Sequence, residues 1–356
     1  MWIKATLQQL GIPFAESDID DLEQWSGEKL HTIQFFDSLE DSTKRLTSRV
    51  PMAFLPIAVS GGTLIGLHLS LDNVAARKPA ISELQGGGAE RSQCIEKAPS
   101  LRAYLHAFLL EIEDDDATEQ VNAKYGADFF DLDSYTEPAK YTKPSRWEAY
   151  IHDLSNTRFG SSPYHVYQLA RSFTRQDPST AITILQEGIA EAPRCLHLYD
   201  RLVRIFTEQG DIDQAARTFN QSLAADHYTA YLTNLDQYYQ QGRDLLKQVP
   251  SVFTPAAVEE LETIEPTARF RRIAERDERR EFAEALKLLD DWCFDQQDYN
   301  WTETLTFLRW HYERLGLDWA VQLSQLRTAN PQPEPRLNAA GAAWEEMVRR
   351  VFKIET

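Results

Sequence analysis

Two apolar runs, Phe54 to Val59 and Leu64 to Leu71, flank Ser60-Gly61-Gly62-Thr63. Paired glycines take the positive φ that a tight reversal demands, so the pattern predicts a β-hairpin. In the second run Ile65, Leu67, Leu69 and Leu71 fall on one face by the two-residue period, with Gly66, His68 and Ser70 on the other. One of these faces is expected to be core. Gly66 marks either a close backbone approach or bulge, or a weak spot covered by a helix. Upstream, Trp2 to Leu10 reads as a short helix closed by Gly11 and Pro13. Ser17 offers an N-cap to a second helix carrying Ile19, Leu22 and Trp25 and stopped by Gly27. Leu30 to Phe36 fits strand and helix equally. Downstream, Ala75 to Cys94 contains Pro79 and Gly86-Gly87-Gly88 and reads as a mobile excursion, partner-facing or merely connecting. A helix then starts near Pro99, with Ser100 as its cap and Leu101, Leu105, Phe108 and Ile112 on one stripe.

Beyond Ser161 the texture changes to continuous amphipathic helix with an internal repeat. Tyr199, Leu202, Val203, Phe206, Gly210, Ala215 and Phe219 stand at the spacings of a tetratricopeptide repeat, with Val203 bulkier than the usual small residue. The preceding unit carries Leu169, Ala170 and Phe173, then Ala181, Leu185, Gly188 and Pro193. Ala181 to Ala215 is the 34-residue period of that repeat. Small residues matter because packed helices approach closely only where side chains are short. Ala285, Leu289 and Trp292 suggest a further second helix, and Leu308, Ala320 and Pro331 a degenerate hairpin around Gly316. Leu337 to Ile354 reads as a terminal cap, and Tyr228 to Val249 as an irregular pair ended by Pro250 and Pro255.

The hairpin carries a second resemblance. Leu55-Pro56-Ile57-Ala58, the Ser-Gly-Gly turn and Leu64-Ile65-Gly66-Leu67-His68-Leu69 look like the central hairpin of the SUKH superfamily, which groups bacterial immunity proteins with a yeast cell-wall synthesis regulator. Members close with a helix introduced by a small residue and Ser, and Ala98-Pro99-Ser100-Leu101 is similar. The likeness covers Pro51 to Ile112. The family's Leu-Pro and Asn-Gly-Gly elements have no good counterpart upstream. Together the patterns predict an α+β N-terminal domain, an antiparallel sheet with flanking helices, followed by an all-α tetratricopeptide-like array. The boundaries are 1–120 for the first, 121–160 for a linker and 161–356 for the second.

With 356 residues and 42% hydrophobic content the chain can bury a core in each part. Cys94, Cys195 and Cys293 are far apart and show no metal-ligand spacing, which reads as reduced structural thiols. The N-terminus lacks a secretory pattern and no apolar run reaches a membrane span, so a cytoplasmic protein is expected. A formal charge of −18, from 37 basic and 55 acidic residues, disfavours nucleic acid and anionic membrane and favours cationic partners.

Motifs for chemistry are sparse. The chain has no phosphate-cradling loop, no Gly-x-Ser-x-Gly elbow and no His-Glu-x-x-His helix. His106, His165 and His152-Asp153 lack an accompanying nucleophile, so no catalytic residue, metal or cofactor is assigned, and an enzyme is the third reading. The densest charge is Glu111, Glu113, Asp114, Asp115 and Asp116, five carboxylates in six positions at a helix C-terminus. There they oppose the macrodipole and should end the helix. They are a solvated edge, a partner contact or a metal site, though the Ca²⁺-loop pattern is absent. The family resemblance implies an immunity protein whose partner is a cognate toxin, cationic by the charge argument. The helical repeats imply protein recognition, and a scaffold for cell-envelope or secretion processes is the alternative. The toxin and the oligomeric state are left open.

Overall fold

The computed structural model describes residues 2–45, 54–69, 71–85, 93–112, 114–127, 129–130, 162–223, 225, 235–262 and 309–328. It is an α+β unit followed by an all-α one. The first holds a six-stranded antiparallel sheet with the strands in chain order: β1 (Lys29–Leu30), β2 (Ile33–Phe35), β3 (Phe54–Ser60), β4 (Thr63–His68), β5 (Ile81–Gln85) and β6 (Gln93–Ala98). Helices α1 (Trp2–Leu10), α2 (Glu16–Glu23), α5 (Leu101–Ile112) and α6 (Asp115–Tyr125) share its core, with the short α3 (Leu39–Thr43) and α4 (Leu71–Ala75) between strands.

The central hairpin forms as the glycines dictate. Gly61 and Gly62 have φ of 53° and 96°, and the register runs from Ser60↔Thr63 to Phe54↔His68. The two-residue period does not separate core from solvent, however. Ile65 and Leu67 are fully buried, but so is Gly66, and His68 on its face is only 5% exposed. Both faces of β4 are therefore covered. At Gly66 the close-approach reading holds: a Cβ there would lie 2.5 Å from the Leu55 carbonyl oxygen and 2.6 Å from the Phe54 ring, beside a bulge between Pro56 and Ala58.

Three other expectations change. Leu30 to Phe36 forms the β1–β2 pair, and Ala75 to Cys94 supplies β5 and most of β6's partner register, with Leu84 opposite Cys94. The triple glycine lies outside the described residues. Pro79 and the triple glycine made this segment read as an excursion, and the polar side chains of its strands find partners only in the fold. Tyr104 Oη donates to Glu83 at 2.9 Å, and Lys78 Nζ to Glu96 at 2.5 Å. Finally, α2 begins at Glu16 with Ala15 in the cap position rather than at Ser17. The Ser100 cap stands, accepting from the Ala103 amide at 3.3 Å. The core also runs past residue 120, the expected end of this unit, through Val121, Phe129 and Phe130.

The second unit is built of antiparallel pairs: α7 (Pro163–Phe173) with α8 (Pro178–Glu191), α9 (Leu196–Glu208) with α10 (Ile212–Ser222), and α11 (Leu235–Gln248) with α12 (Pro255–Glu262). Of the repeat positions, Tyr199, Leu202, Val203, Phe206, Ala181, Ala215 and Phe219 are all buried. Gly210, at φ 77°, turns the chain so that the Asp211 amide reaches back to the Phe206 carbonyl at 2.9 Å. Rather than an irregular pair, the end of Tyr228 to Val249 is the regular helix α11. Ala285, Leu289, Trp292, Leu308, Pro331 and the cap at Leu337 to Ile354 lie outside the described residues.

The two units touch at both ends of the second. Helix α7 packs on the edge strand β6, with Lys97 Nζ 4.2 Å above the Tyr164 ring. Helix α13 (Asp318–Thr328) returns to α1: Leu323, 1% exposed, joins the sheet unit's core, with Trp319 and Leu326 packed beside it. Among the described residues no helix is long and apolar enough to cross a membrane.

Candidate interaction site

The acidic run lies at the junction of α5 and α6. Glu111 is in the last turn of α5, which ends at Ile112, and Glu113 lies outside the described residues. Asp114 is the N-cap of α6: its Oδ1 accepts from the Ala117 amide at 2.7 Å, and its main-chain oxygen from the Thr118 amide at 3.0 Å. Asp115 and Asp116 occupy the first turn of α6 and are exposed. The run does stop one helix, as its clash with the α5 dipole requires. It also starts the next, where the same charges face a helix N-terminus and are stabilising.

This junction is rigidly mounted. His31, at φ 50° in the β1–β2 turn, brings Nε2 to 3.9 Å from Asp114 Oδ2 and its ring edge-on to Phe108. Gln120 Nε2 donates to the Lys29 carbonyl at 2.9 Å. On the far side Arg102 grips Asp21 through Nε at 2.5 Å and Nη2 at 2.8 Å while lying over the Tyr125 ring. Tyr125 Oη accepts from Trp25 Nε1 at 3.0 Å, and burial raises its pKa to about 12. Helix α6 is thus pinned at both ends. Asp115, Asp116 and Glu119 are left facing solvent on a backbone held in place.

The histidines singled out in the sequence are buried. His106 is 4% exposed, edge-on to Phe129 and Phe130, and burial lowers its pKa to about 4. His165 is held near about 3 by burial and by the nearby Lys97 charge, with Nδ1 2.9 Å from Ser162 Oγ. His152 and Asp153 lie outside the described residues.

Sequence reasoning missed a polar cluster at the sheet's second face. Glu96 Oε1 takes Lys78 at 2.5 Å, and its Oε2 lies 3.6 Å from His68 Nδ1 and 3.4 Å from Asn73 Nδ2. Asn73 also donates to the His68 carbonyl at 3.0 Å. Burial pushes the Glu96 carboxyl up, but the adjacent His68 ring and the Lys78 ammonium outweigh it and hold the pKa at about 2. A carboxylate so stabilised is a poor proton acceptor, and the cluster ties α4 to β6. Four residues scattered over 68–96, with no spacing rule, give no signal in sequence.

A cleft of about 410 Å³ opens beside Phe36, Asp37, Asp41, Lys44 and Val59. Within it Asp41 takes Ser38 Oγ at 3.0 Å and Lys44 Nζ at 3.4 Å. Among the described residues no three His, Cys, Asp or Glu side chains are grouped to hold a metal ion. No family model matches the chain, and no curated protein matches it.

Proposed function

We propose that this protein acts by binding, as an immunity protein that neutralises a cognate cationic toxin in the cytoplasm by covering its active face. The observation that supports this most is the division of labour in the acidic run. Asp114 is committed to the cap of α6, while Asp115 and Asp116 are presented to solvent on a helix pinned at both ends. On a chain of net charge −18 such a turn steers a basic protein toward it, and apolar contacts then hold the complex. The resemblance of Pro51 to Ile112 to the SUKH superfamily narrows the partner to a toxin. The helical pairs favour a second reading, a non-catalytic scaffold, because stacked hairpins offer an extended protein-binding surface.

The test is coexpression with the product of the adjacent gene. Relief of its growth arrest, together with a stoichiometric complex on gel filtration, supports the immunity reading. A complex with a harmless partner favours the scaffold, and an arrest that persists with no complex overturns immunity to that product.

A further inference from the structure

The cleft beside α3 is built from three separate parts of the sheet unit. The turn at Gly27, the facing pair Gln34 and Val59 of β2 and β3, and α3 with its flanks at Asp37, Asp41 and Arg45 each supply a wall. Phe35 and Phe36, 2% and 7% exposed, add an apolar lining. These walls are tied to one another: the Phe36 carbonyl accepts from the Gly27 amide at 3.1 Å and from Trp2 Nε1 at 3.0 Å. At about 410 Å³ the space suits a small molecule.

Its charges are divided along α3. Asp37 stands within hydrogen-bond reach of Asp41, and two carboxyl groups in contact are stable only with a proton or a cation between them. Lys44 does not supply that cation to Asp37, since its Nζ lies 2.9 Å from Glu40 and 3.4 Å from Asp41. One turn beyond Asp41, Arg45 is exposed and forms no ion pair among the described residues. Between the two ends, Gln34 Nε2 donates to the Glu28 and Phe35 carbonyls at 3.2 and 3.1 Å. That fixes the orientation of its amide and makes Oε1 the acceptor for a ligand.

We propose that this cleft binds a free dipeptide, its ammonium between Asp37 and Asp41, its carboxylate on Arg45 and an apolar side chain against Phe36 and Val59. The spacing carries the choice. Asp41 and Arg45 are four residues apart, about 6 Å along the axis of α3. The two ends of an extended dipeptide are about 7 Å apart. A single amino acid holds its charges too close together to reach both, and a polypeptide has no carboxylate so near its amino end. The ligand's peptide N–H is offered Gln34 Oε1. A polyamine fits less well because Arg45 repels it, and a simple anion because Asp37 and Asp41 do. The site shares no residue with Asp115 and Asp116, so it stands apart from the toxin reading and either can fail alone.

The experiment is isothermal titration calorimetry on the full chain at low salt with alanyl-phenylalanine. Controls are its N-acetyl form, its C-terminal amide and free phenylalanine. The expected result is that the dipeptide binds, that either cap weakens binding about tenfold, and that phenylalanine binds more weakly than the dipeptide. Asp37→Asn should reproduce the loss on acetylation and Arg45→Gln the loss on amidation, each at an unchanged melting temperature because both side chains are exposed. The amide should not distinguish Arg45→Gln from wild type, nor the acetylated form Asp37→Asn, which assigns each end of the ligand to its residue. Asp41 is left intact, because with Ser38 it holds the start of α3. The proposal falls if the dipeptide does not bind, if the capped forms bind as well as the free one, if phenylalanine binds as tightly, or if both variants bind like wild type. Should a variant not fold, the capped forms on the wild-type chain decide alone.

Discussion

In the sheet unit a methyl group on Gly66 would lie 2.5 Å from the Leu55 carbonyl oxygen, whereas in the helical unit one on Gly188 would meet the side chains of Val166 and Leu198. The first obstacle is backbone fixed in a ladder; the second can rotate or slide. The interiors differ in the same way. The sheet unit is cross-braced by long-range polar contacts, Glu96 with Lys78 and Asp21 with Arg102, while the helical unit packs small residues against rings and branched chains, with buried Asp200 answered one turn away by Arg204. Polar contacts of the helical unit run from one hairpin to the next, as Gln241 to Thr207, 34 residues apart, whereas Asp21 and Arg102 stand 81 residues apart.

The comparison is broken most directly by the same substitution in each unit. Gly66→Ala is expected to cost about 3 kcal/mol or more, since neither the Leu55 carbonyl nor the Phe54 ring has room to retreat. Gly188→Ala strains Val166 but gains about 1 kcal/mol of helix propensity, for a net loss of about 1 kcal/mol. Denaturant unfolding, with hydrogen exchange to assign the loss to one unit, measures both. Equal costs would mean that the sheet yields as readily as the helices.

A pH-dependent difference follows from the buried groups. His106 has a folded pKa of about 4, below its unfolded value, so its contribution is whole above pH 6.5 and is lost as pH falls toward 4. The loss is about 3 kcal/mol. His165 acts in the same sense down to about 3. Glu96, lowered from 4.5 to about 2, contributes above pH 4.5 and is lost between there and pH 2. Acid should therefore loosen the His106 and His165 surroundings before it reaches the sheet's polar cluster. His106→Phe should flatten the stability profile between pH 6.5 and 4, and an unaltered slope would show that this histidine is not buried neutral.

What was legible in the sequence follows the same division. The turn at Gly61-Gly62 and the repeat from Ala181 to Ala215 could be read because each depends on residues within one turn or one period. Strands β5 and β6 could not, because Ser82, Glu83, Glu96 and Lys97 are polar by sequence and buried or partnered only after Lys78, Tyr104 and α7 arrive. The return of Leu323 to α1 has no local signal at all. At the candidate site the charge density was visible, but not its split into one capping carboxylate and two free ones, which depends on where α6 begins.

The smallest effect tests that split. Asp114→Ala should lose about 1 kcal/mol of stability through the cap, while Asp115→Asn with Asp116→Asn should lose less than about 1 kcal/mol each from the helix dipole. Against a cationic partner identified by coexpression, the order should reverse. The double variant should associate several-fold more slowly at low salt and dissociate at the wild-type rate, because exposed charges steer encounters over about 8–10 Å and add little once apolar surfaces have closed. The deficit should vanish near 1 M salt, where the screening length is about 3 Å. Stopped-flow association across a salt series reads this directly. A deficit that survives high salt and appears as faster dissociation would place Asp115 and Asp116 at the desolvated centre of the interface. If neither rate responds, the turn steers nothing, and a cationic partner must bind elsewhere on the chain.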